Sequence, residues 1–173
     1  MITLLEAKHI GKRFGGVTAL ADVSLTIRQG EVYGLIGPNG AGKTTFFNVL
    51  TGAYTPDEGG FVFEGSALPT GKPHRVVEAG IARTFQNIRL WNDMTVLDNI
   101  RVAQHYWLGY GFFHSVIRTK RYKRREEEIE QEAQKLLEVF DLQRFKDEFP
   151  KNLPYGTQRK LEIARALSTH PKL

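Results

Sequence analysis

The sequence predicts a mixed α/β fold with a helical insert at about residues 88–152. Three patterns support this prediction. Residues 22–28 alternate apolar and polar side chains, which is typical of an antiparallel strand covered on one face. Residues 31–51 read as a short apolar strand, a glycine-rich loop and a helix, in that order. From Ile129 onward, apolar residues recur with the period of a helix.

Most of the expected strands lie in the first half of the chain. We expect strands at residues 2–8, 22–28, 31–37, 61–63 and 81–85. In the strand at 22–28, the covered face consists of Val23, Leu25 and Ile27. Turns are expected at residues 12–16 and at Gln29-Gly30.

Two short helices are expected in the same half. The first, residues 44–51, is expected to end with Gly52 at its C-cap. The second, residues 73–79, begins with Pro73 in its first turn and is stopped by Gly80.

The second half of the chain is predicted to be helical. Thr95 followed by Asp98 resembles a capping box and opens a helix that runs to about Gln104. An aromatic patch follows, formed by Tyr106, Trp107, Tyr110, Phe112 and Phe113. A long helix then carries one apolar stripe, formed by Ile129, Ala133, Leu136, Leu137 and Phe140.

Composition excludes several classes of protein. The 173 residues suffice for one domain with a proper core, and they include no cysteine, so the chain has neither a disulfide framework nor a thiolate metal site. The N-terminus lacks the pattern of a secretory signal. The longest mostly apolar stretch, residues 106–117, is shorter than the about 20 residues that span a bilayer. We therefore expect a cytosolic protein, which leaves open docking onto a partner that does span the membrane.

A cluster of six basic side chains precedes the long helix. It consists of Arg118, Lys120, Arg121, Lys123, Arg124 and Arg125, and four glutamates follow within residues 126–130. The i,i+4 spacing of Arg124 and Glu128 favours a solvated helix face, and contact with anionic lipid headgroups is the alternative. Nucleic acid is not an expected partner, because no nucleic-acid motif accompanies the cluster.

The glycine-rich loop at residues 37–45 carries the strongest chemical signal. Gly37, Gly42, Lys43 and Thr44 fill the fixed positions of the phosphate-binding loop, G-x-x-x-x-G-K-[ST]. Glycines allow consecutive backbone N–H groups to face an anion, and the following helix adds the positive end of its dipole. The lysine ammonium is expected to reach the β- and γ-phosphates, and the Thr44 hydroxyl is expected to bind Mg²⁺.

Four features in order resemble the nucleotide-binding subunit of an ABC transporter, over the whole chain. They are the phosphate loop, Gln86 within Arg-Thr-Phe-Gln-Asn, the helical segment, and Leu-Pro-Tyr-Gly-Thr-Gln at residues 153–158 ahead of a helix. The last resembles the family signature, usually LSGGQ. Its Tyr-Gly variant, the aromatic and basic insert and residues 11–20 are similar to ATPase subunits of bacterial importers for branched-chain amino acids and related small molecules.

The resemblance implies a fold and a division of the chain. The fold is a P-loop NTPase core with an N-terminal antiparallel β subdomain and an inserted α-helical subdomain, and the C-terminal strands of the sheet are expected to be missing. Residues 1–173 would form one incomplete ATPase domain. Its parts would be the β subdomain and nucleotide-binding core at 1–87, the helical subdomain at 88–152, and the signature with its helix at 153–173.

The resemblance also implies that ATP and Mg²⁺ are the cofactors. Contacts to the nucleotide are expected from Phe14, Gly37, Pro38, Asn39, Gly40, Ala41, Gly42, Lys43, Thr44 and Thr45. Phe14 would stack on the adenine, although a buried phenylalanine on a turn is the alternative. Gln86 would act in catalysis by binding Mg²⁺ or orienting the attacking water, so the metal ligands would be Thr44 and Gln86.

The signature is implied to act on the ATP of a second subunit. In the family two ATPase subunits pair head to tail, and residues corresponding to Leu153, Pro154, Tyr155, Gly156, Thr157 and Gln158 close on the partner's γ-phosphate. This sequence departs from the usual motif, with Pro154 in place of serine and Thr157 in place of glutamine. Proline has no hydroxyl to donate, which puts the rate of turnover in doubt more than the role.

The parts that complete ATP hydrolysis in this family are expected to be missing. The Walker B strand with its Asp and catalytic Glu, and a later His, have no counterpart in the sequence, which ends at His170-Pro-Lys-Leu173. We therefore expect a fragment that is inactive alone, from a parent protein that hydrolyses ATP. Its incomplete sheet is expected to expose apolar faces and to favour aggregation.

The implied function is ATP-driven uptake of branched-chain amino acids or similar small molecules. The implied partners are a second ATPase subunit, transmembrane permease subunits and, indirectly, a periplasmic substrate-binding protein, with the chain on the cytoplasmic side of the inner membrane. Residues 88–104 and the aromatic patch would receive the permease or, alternatively, form a small local core. The remaining alternatives are a soluble ABC-type ATPase that acts on DNA or ribosomes, and a nucleotide-binding fragment that does not hydrolyse ATP.

Overall fold

The computed structural model describes residues 2–104 and 120–173. These residues fall into two compact units, Met1–Ile81 and Ala82–Leu173. The aromatic patch at residues 106–113 and Arg118 of the basic cluster lie outside the described residues. The three-part division expected from the sequence remains a prediction.

An antiparallel sheet forms the first unit. The strands are β1 (Thr3–Phe14), β2 (Val17–Arg28), β3 (Glu58–Phe63) and β4 (Ser66–Ala67), in the order β2-β1-β3-β4. β1 lies between β2 and β3, with Ala7 opposite Leu25 on one side and Phe61 on the other. The antiparallel prediction is thus confirmed, although the hairpin of β1 and β2 extends further toward Gly15 than the sequence indicated.

Alternating burial on β2 follows the predicted pattern. Ile27 is buried, and Val23 and Leu25 are partly buried, whereas their neighbours Ser24 and Thr26 are exposed. The covered face therefore consists of the three residues predicted from the alternation.

Two helices complete the first unit. They are α1 (Lys43–Leu50) and α2 (Pro73–Ala79), and α2 begins at Pro73 and ends before Gly80, as predicted. Phe46 of α1 packs edge to face against Phe61 of β3, with ring centroids 5.7 Å apart. This aromatic contact fixes α1, and with it the C-terminal end of the phosphate loop, against the sheet.

Two predicted strands are wrong. Residues 31–37 and 81–85 are not in strands, and Val32 and Ile36 are 99% and 95% exposed. The expectation rested on a short apolar run, but a strand also requires neighbours for its backbone hydrogen bonds. Within the described part of the chain, no strand pairs with either segment.

The second unit is helical. Its helices are α3 (Val96–Gln104), α4 (Lys120–Val139) and α5 (Tyr155–Leu167), with single 3₁₀ turns at Gln143–Phe145 and Pro150–Asn152. The core joins all three helices through Val96, Ile100, Ala133, Leu137, Leu142, Leu153, Leu161 and Ala164. The apolar stripe predicted for α4 is confirmed, since Ile129, Ala133 and Leu137 are buried and Leu136 and Phe140 pack against the core.

The start of α3 also matches its prediction. The Thr95 hydroxyl accepts a hydrogen bond from the Asp98 backbone N–H at 3.1 Å and donates to the Asp98 carboxylate at 2.8 Å. A side chain that satisfies a free N–H in the first turn is what a capping box predicts.

Candidate functional site

The phosphate loop is an open turn that leads directly into α1. The backbone N–H of Ala41 donates to the Pro38 carbonyl at 3.3 Å, which closes a turn over residues 38–41. Asn39, Gly40 and Ala41 are exposed. α1 begins at Lys43 with no acidic residue in its first turn, so the positive end of its dipole is uncompensated by a carboxylate of its own.

Gly42 is the loop position that requires glycine most strictly. Its φ is 83°, and a Cβ atom there would lie 2.5 Å from the Ala19 carbonyl oxygen and 2.9 Å from Leu20 Cδ2. No other residue fits both the backbone conformation and the space. The loop is therefore held against β2 by backbone packing, and its outer side remains open.

Lys43 places its ammonium inside the loop. Nζ donates to the carbonyl oxygens of Gly37 and Pro38, each at 2.6 Å. An ammonium has three N–H donors, so a third remains for an anion. A positive charge, a helix N-terminus and exposed glycine backbone thus meet at one place, which fits a polyphosphate.

Phe14 ends β1 with a ring that is partly accessible. The residue is 43% exposed, and its ring packs edge to face against Tyr54, with centroids 5.2 Å apart. Tyr54 follows α1 and its backbone N–H donates to the Asn48 carbonyl at 3.1 Å. The alternative of a buried phenylalanine is therefore wrong.

The backbone next to Phe14 is held by Asp57. Its carboxylate accepts hydrogen bonds from Lys12 Nζ at 2.8 Å and from the Arg13 backbone N–H at 2.7 Å. The Lys12 bond, together with the Arg13 bond, lowers the pKa of Asp57 below its ordinary value. Lys12 Nζ also lies 5.5 Å from the centroid of the Phe14 ring.

Gln86 lies in an irregular segment of the second unit and is exposed to solvent. Its carbonyl oxygen accepts a hydrogen bond from Arg159 Nη2 at 3.1 Å. Arg159 is on α5, so the segment around Gln86 and the helix after the signature are in contact. The resemblance assigned Gln86 to the nucleotide of its own subunit and the signature to the nucleotide of a second subunit, and it did not indicate this contact.

The signature residues form the start of α5, with Pro154 as N-cap and no side-chain hydrogen bond at that cap. The Pro154 carbonyl accepts from the N–H groups of Thr157 and Gln158, at 2.9 and 3.0 Å. The N–H groups of Tyr155 and Gly156 lie in the first turn, where a helix offers no acceptor. A Cβ atom on Gly156 would have no neighbour within 4 Å, so this first turn is open to a ligand.

Sequence reasoning missed two residues of this second site, Arg159 and Glu162. Arg159 donates to the Phe85 carbonyl and to the Glu162 carboxylate, and Glu162 accepts from the Phe85 backbone N–H at 3.2 Å. Glu162 is only 2% exposed. The i,i+3 spacing of the two residues was visible, but it is equally typical of an exposed ion pair on a helix surface.

Positive charge surrounds Phe85, the residue before Gln86. The guanidinium groups of Arg83 and Arg89 lie 5.0 and 4.5 Å from the centroid of the Phe85 ring. Burial lowers the pKa of Arg83 below its ordinary value, and the charge of Arg89 lowers it further. Two stacked arginines beside the glutamine give this segment a local preference for anions.

In the described ranges, 2–104 and 120–173, no helix is long and apolar enough to cross a membrane. The same ranges contain no group of three or more His, Asp or Glu side chains that could hold a metal ion.

Comparison with known proteins identifies the class that this fold and these loops define. Residues 20–173 match the family model described as ABC transporter. The chain therefore belongs to the ABC transporter family, in its ATP-binding part.

The most informative relatives are ATP-binding proteins of amino acid transporters. The chain is 40% identical over 170 residues to the high-affinity branched-chain amino acid transport ATP-binding protein BraF of Pseudomonas aeruginosa, covering 98% of this chain and 67% of BraF. It is also 40% identical, with the same coverage, to LivG of Escherichia coli, which carries the same description. The chain thus spans about two thirds of the length of these relatives.

Solved structures support the fold. The structure matches the ADP conformation of MJ1267, an ATP-binding cassette of an ABC transporter, with a TM-score of 0.79 and 35% identity, over 99% of this chain and 66% of that one. A nucleotide-free cassette from an ABC transporter matches with a TM-score of 0.77 and 37% identity, over 98% and 66% of the two chains. The predicted α/β fold of the ABC ATPase type is confirmed.

Proposed function

We propose that this chain is the ATP-binding part of an ABC importer for branched-chain amino acids or similar small molecules. The observation that carries the proposal is the loop at 37–45, where Gly42, Lys43 and the start of α1 converge on an open surface. The 40% identity to BraF supports the substrate class, because BraF is described as a branched-chain amino acid transport protein.

ATP is the expected ligand, and it would supply the phosphoryl group whose transfer to water drives the cycle. The backbone of residues 37–42 would bind the phosphate oxygens, and Lys43 would offset their charge. Thr44 would bind Mg²⁺ through its hydroxyl, and the Gln86 amide would be a second ligand or would orient water. Phe14 would contact the adenine ring.

The start of α5 would act on a second subunit. Residues 153–158 would close over the γ-phosphate held by the partner, because Gly156 and the first-turn N–H groups are open. The cap lacks the usual hydroxyl, since Pro154 occupies that position. Binding of ATP would close two subunits head to tail, and hydrolysis in the complete protein would release them.

The transmembrane permease is the expected partner of an apolar surface near α3. Trp91, Met94, Val102 and Phe149 are exposed, and a cavity of about 310 Å³ is lined by Met94, Thr95, Val102, Phe149 and two aspartates. A permease segment that presents apolar side chains would bury this surface. The chain would then lie on the cytoplasmic face of the inner membrane, and a periplasmic binding protein would determine the cargo.

Nucleotide binding is tested with the Lys43→Ala variant. Equilibrium dialysis with labelled ATP and Mg²⁺ should show a loss of affinity of about 10- to 100-fold, because a charge-assisted contact to phosphate is removed. Lys8→Ala is the matched control, since Lys8 is an exposed lysine of the same unit paired with Glu6. Equal affinity in parent and Lys43→Ala would refute the assignment of the loop.

The transport assignment needs a separate test. The chain in its complete protein should co-purify with permease subunits, and reconstituted vesicles should take up labelled leucine in an ATP-dependent manner. Met94→Glu should abolish co-purification and leave ATP binding unchanged. ATPase activity that is stimulated by DNA or ribosomes, without any permease association, would instead favour a soluble ABC-type ATPase.

A further inference from the structure

Arg159 and Glu162 make four polar connections with each other and with the segment that carries Gln86. The Arg159 guanidinium donates to the carbonyl oxygens of Phe85 and Gln86 and to the Glu162 carboxylate. Glu162 Oε1 accepts from the Phe85 backbone N–H. Both backbone polar groups of Phe85 and the carbonyl of Gln86 are thus satisfied by one pair of side chains that lies more than 70 residues away in sequence.

The burial of the pair shows that this contact is specific. The Glu162 side chain is 2% exposed and the Arg159 side chain 34% exposed. A buried carboxylate is strongly unfavourable unless a cation and hydrogen-bond donors compensate its charge, and here Arg159 and the Phe85 N–H do so. Removal of Arg159 leaves the buried Glu162 carboxylate without its cation, and removal of Glu162 leaves the Phe85 N–H without its acceptor. The two residues and the segment at 85–86 are therefore joined.

The Arg159–Glu162 pair on α5 links two predicted functional segments, the one that carries Gln86 and the signature. Arg159 follows the signature residues 153–158 directly, within the first turns of the helix. Any rigid movement of the N-terminal part of α5 therefore displaces the backbone of Gln86, whose side chain is left exposed. Coupling of this kind is reciprocal, so a change at Gln86 also biases the position of the signature.

We propose that Arg159 and Glu162 are positioning residues that fix Gln86 to the signature helix, so that both phosphate-facing segments move together. The proposal rests on the proposed function, because it assumes that Gln86 and residues 153–158 face nucleotides. Neither residue touches the nucleotide, and both act through the backbone of residues 85–86. Their loss should impair the step that depends on Gln86 and spare the binding of ATP by the loop at 37–45.

Hydrogen exchange on the complete protein tests the connection without any nucleotide. Arg159→Ala and Glu162→Ala should each accelerate amide exchange in residues 83–88 by about five- to tenfold, as expected for the loss of one or two hydrogen bonds. Glu162→Gln keeps the acceptor for the Phe85 N–H and should remain within about twofold of the parent. Exchange rates at 83–88 that do not change in either alanine variant would overturn the proposal.

Lys160→Ala is the matched control for these variants. Lys160 lies on the same helix, next to Arg159, and forms an exposed pair with Asp141 at 3.2 Å. Exchange at residues 83–88 should remain at the parent rate in this variant. The conservative Arg159→Lys variant keeps the charge but not the forked donors, and should give an intermediate rate. The exchange rate of Arg159→Lys tests the connection if Arg159→Ala does not fold.

ATP turnover by the complete transporter separates positioning from simple destabilisation. Arg159→Ala should lower kcat by about 10- to 100-fold with KM nearly unchanged, as a misplaced catalytic group does. In a Gln86→Ala background, Arg159→Ala should have no further effect. Additive losses of kcat in the double variant, or a change in KM alone, would overturn the positioning role.

If Lys43→Ala leaves ATP binding intact, the proposed function fails. The hydrogen-exchange result would still decide whether the segment at 85–86 is joined to α5.

Discussion

The side-chain amide of Asn99 pairs with both backbone polar groups of Trp91. Oδ1 accepts from the Trp91 N–H and Nδ2 donates to the Trp91 carbonyl, each at 3.0 Å, and Nδ2 is also 2.9 Å from the Thr95 carbonyl. Asn99 is fully buried on α3. The loop before α3, which carries part of the exposed surface proposed to receive a permease, is therefore tied to α3 through the Asn99 side chain.

Asn99→Ala should destabilise the second unit by about 2–4 kcal/mol, because the hydrogen bonds of the buried Asn99 amide to the Trp91 backbone and to the Thr95 carbonyl are lost. The measurement is urea unfolding monitored by circular dichroism. Asn92→Ala, at an exposed position of the same loop, should change the free energy of unfolding by less than about 0.5 kcal/mol. Similar losses in the two variants would contradict the role of Asn99.

Gly42→Ala should disrupt the phosphate loop. The variant combines a strained φ of 83° with a contact of 2.5 Å between the new Cβ and the Ala19 carbonyl, so the loop must move away from β2. We expect ATP affinity to fall by about tenfold or more in calorimetric titrations. Gly30→Ala has a similar φ of 78° with open space around it, and it should bind ATP as the parent does. Normal affinity in Gly42→Ala would show that the loop tolerates displacement.

Phe14→Ala should weaken the binding of ATP and leave the binding of inorganic tripolyphosphate unchanged. The reason is that an aromatic ring can stack on the base but offers no donor to the phosphates, and Phe14 is 43% exposed. Loss of one aromatic contact corresponds to about a five- to tenfold change in affinity. Phe14→Tyr keeps the ring and serves as the control. A parallel loss for both ligands would assign Phe14 to the packing of Tyr54 instead.

Asp57 should make the first unit less stable in acid. Its pKa is lowered by Lys12 and Arg13, so the stabilisation is complete above the ordinary aspartate pKa and is lost as the pH falls through the lowered value. Asp57→Asn should therefore be less stable than the parent at neutral pH, and this difference should shrink below about pH 4. Thermal unfolding across pH 2–7 measures it, with the exposed Asp93→Asn as control. A constant difference between the variants at every pH would contradict the assignment.

Local signals in the sequence predicted the helices accurately. Pro73 and Gly80 delimit α2, and the Thr95–Asp98 pair begins α3, because each of these effects acts within a few residues of the backbone. The antiparallel pairing of β2 was predicted from its alternating apolar and polar side chains, which is also a local pattern. The family resemblance, which rests on motifs spread over the chain, correctly indicated the ABC ATPase fold.

Features that depend on distant neighbours were not predictable from the sequence. The runs at 31–37 and 81–85 have the composition of strands, but pairing decides whether a strand forms. Glu162 carried no signal in the sequence, and the structure shows it buried in contact with the Phe85 backbone. The sequence placed Phe14 on a turn, whereas the structure has it at the end of β1. Its contact with Tyr54 depends on how β1 and α1 pack.

The unpaired backbone of residues 32–37, ahead of the phosphate loop, affects the affinity for nucleotide. None of the backbone N–H groups of residues 32–37 donates to another backbone group in the described part of the chain, whereas the far end of the loop is anchored by α1. Binding a nucleotide must restrict this segment, and the conformational entropy lost there, on the order of 1 kcal/mol for each residue that is ordered, is subtracted from the intrinsic affinity. Any neighbour that pairs with residues 31–37 beforehand would remove that cost and tighten binding without touching the ligand.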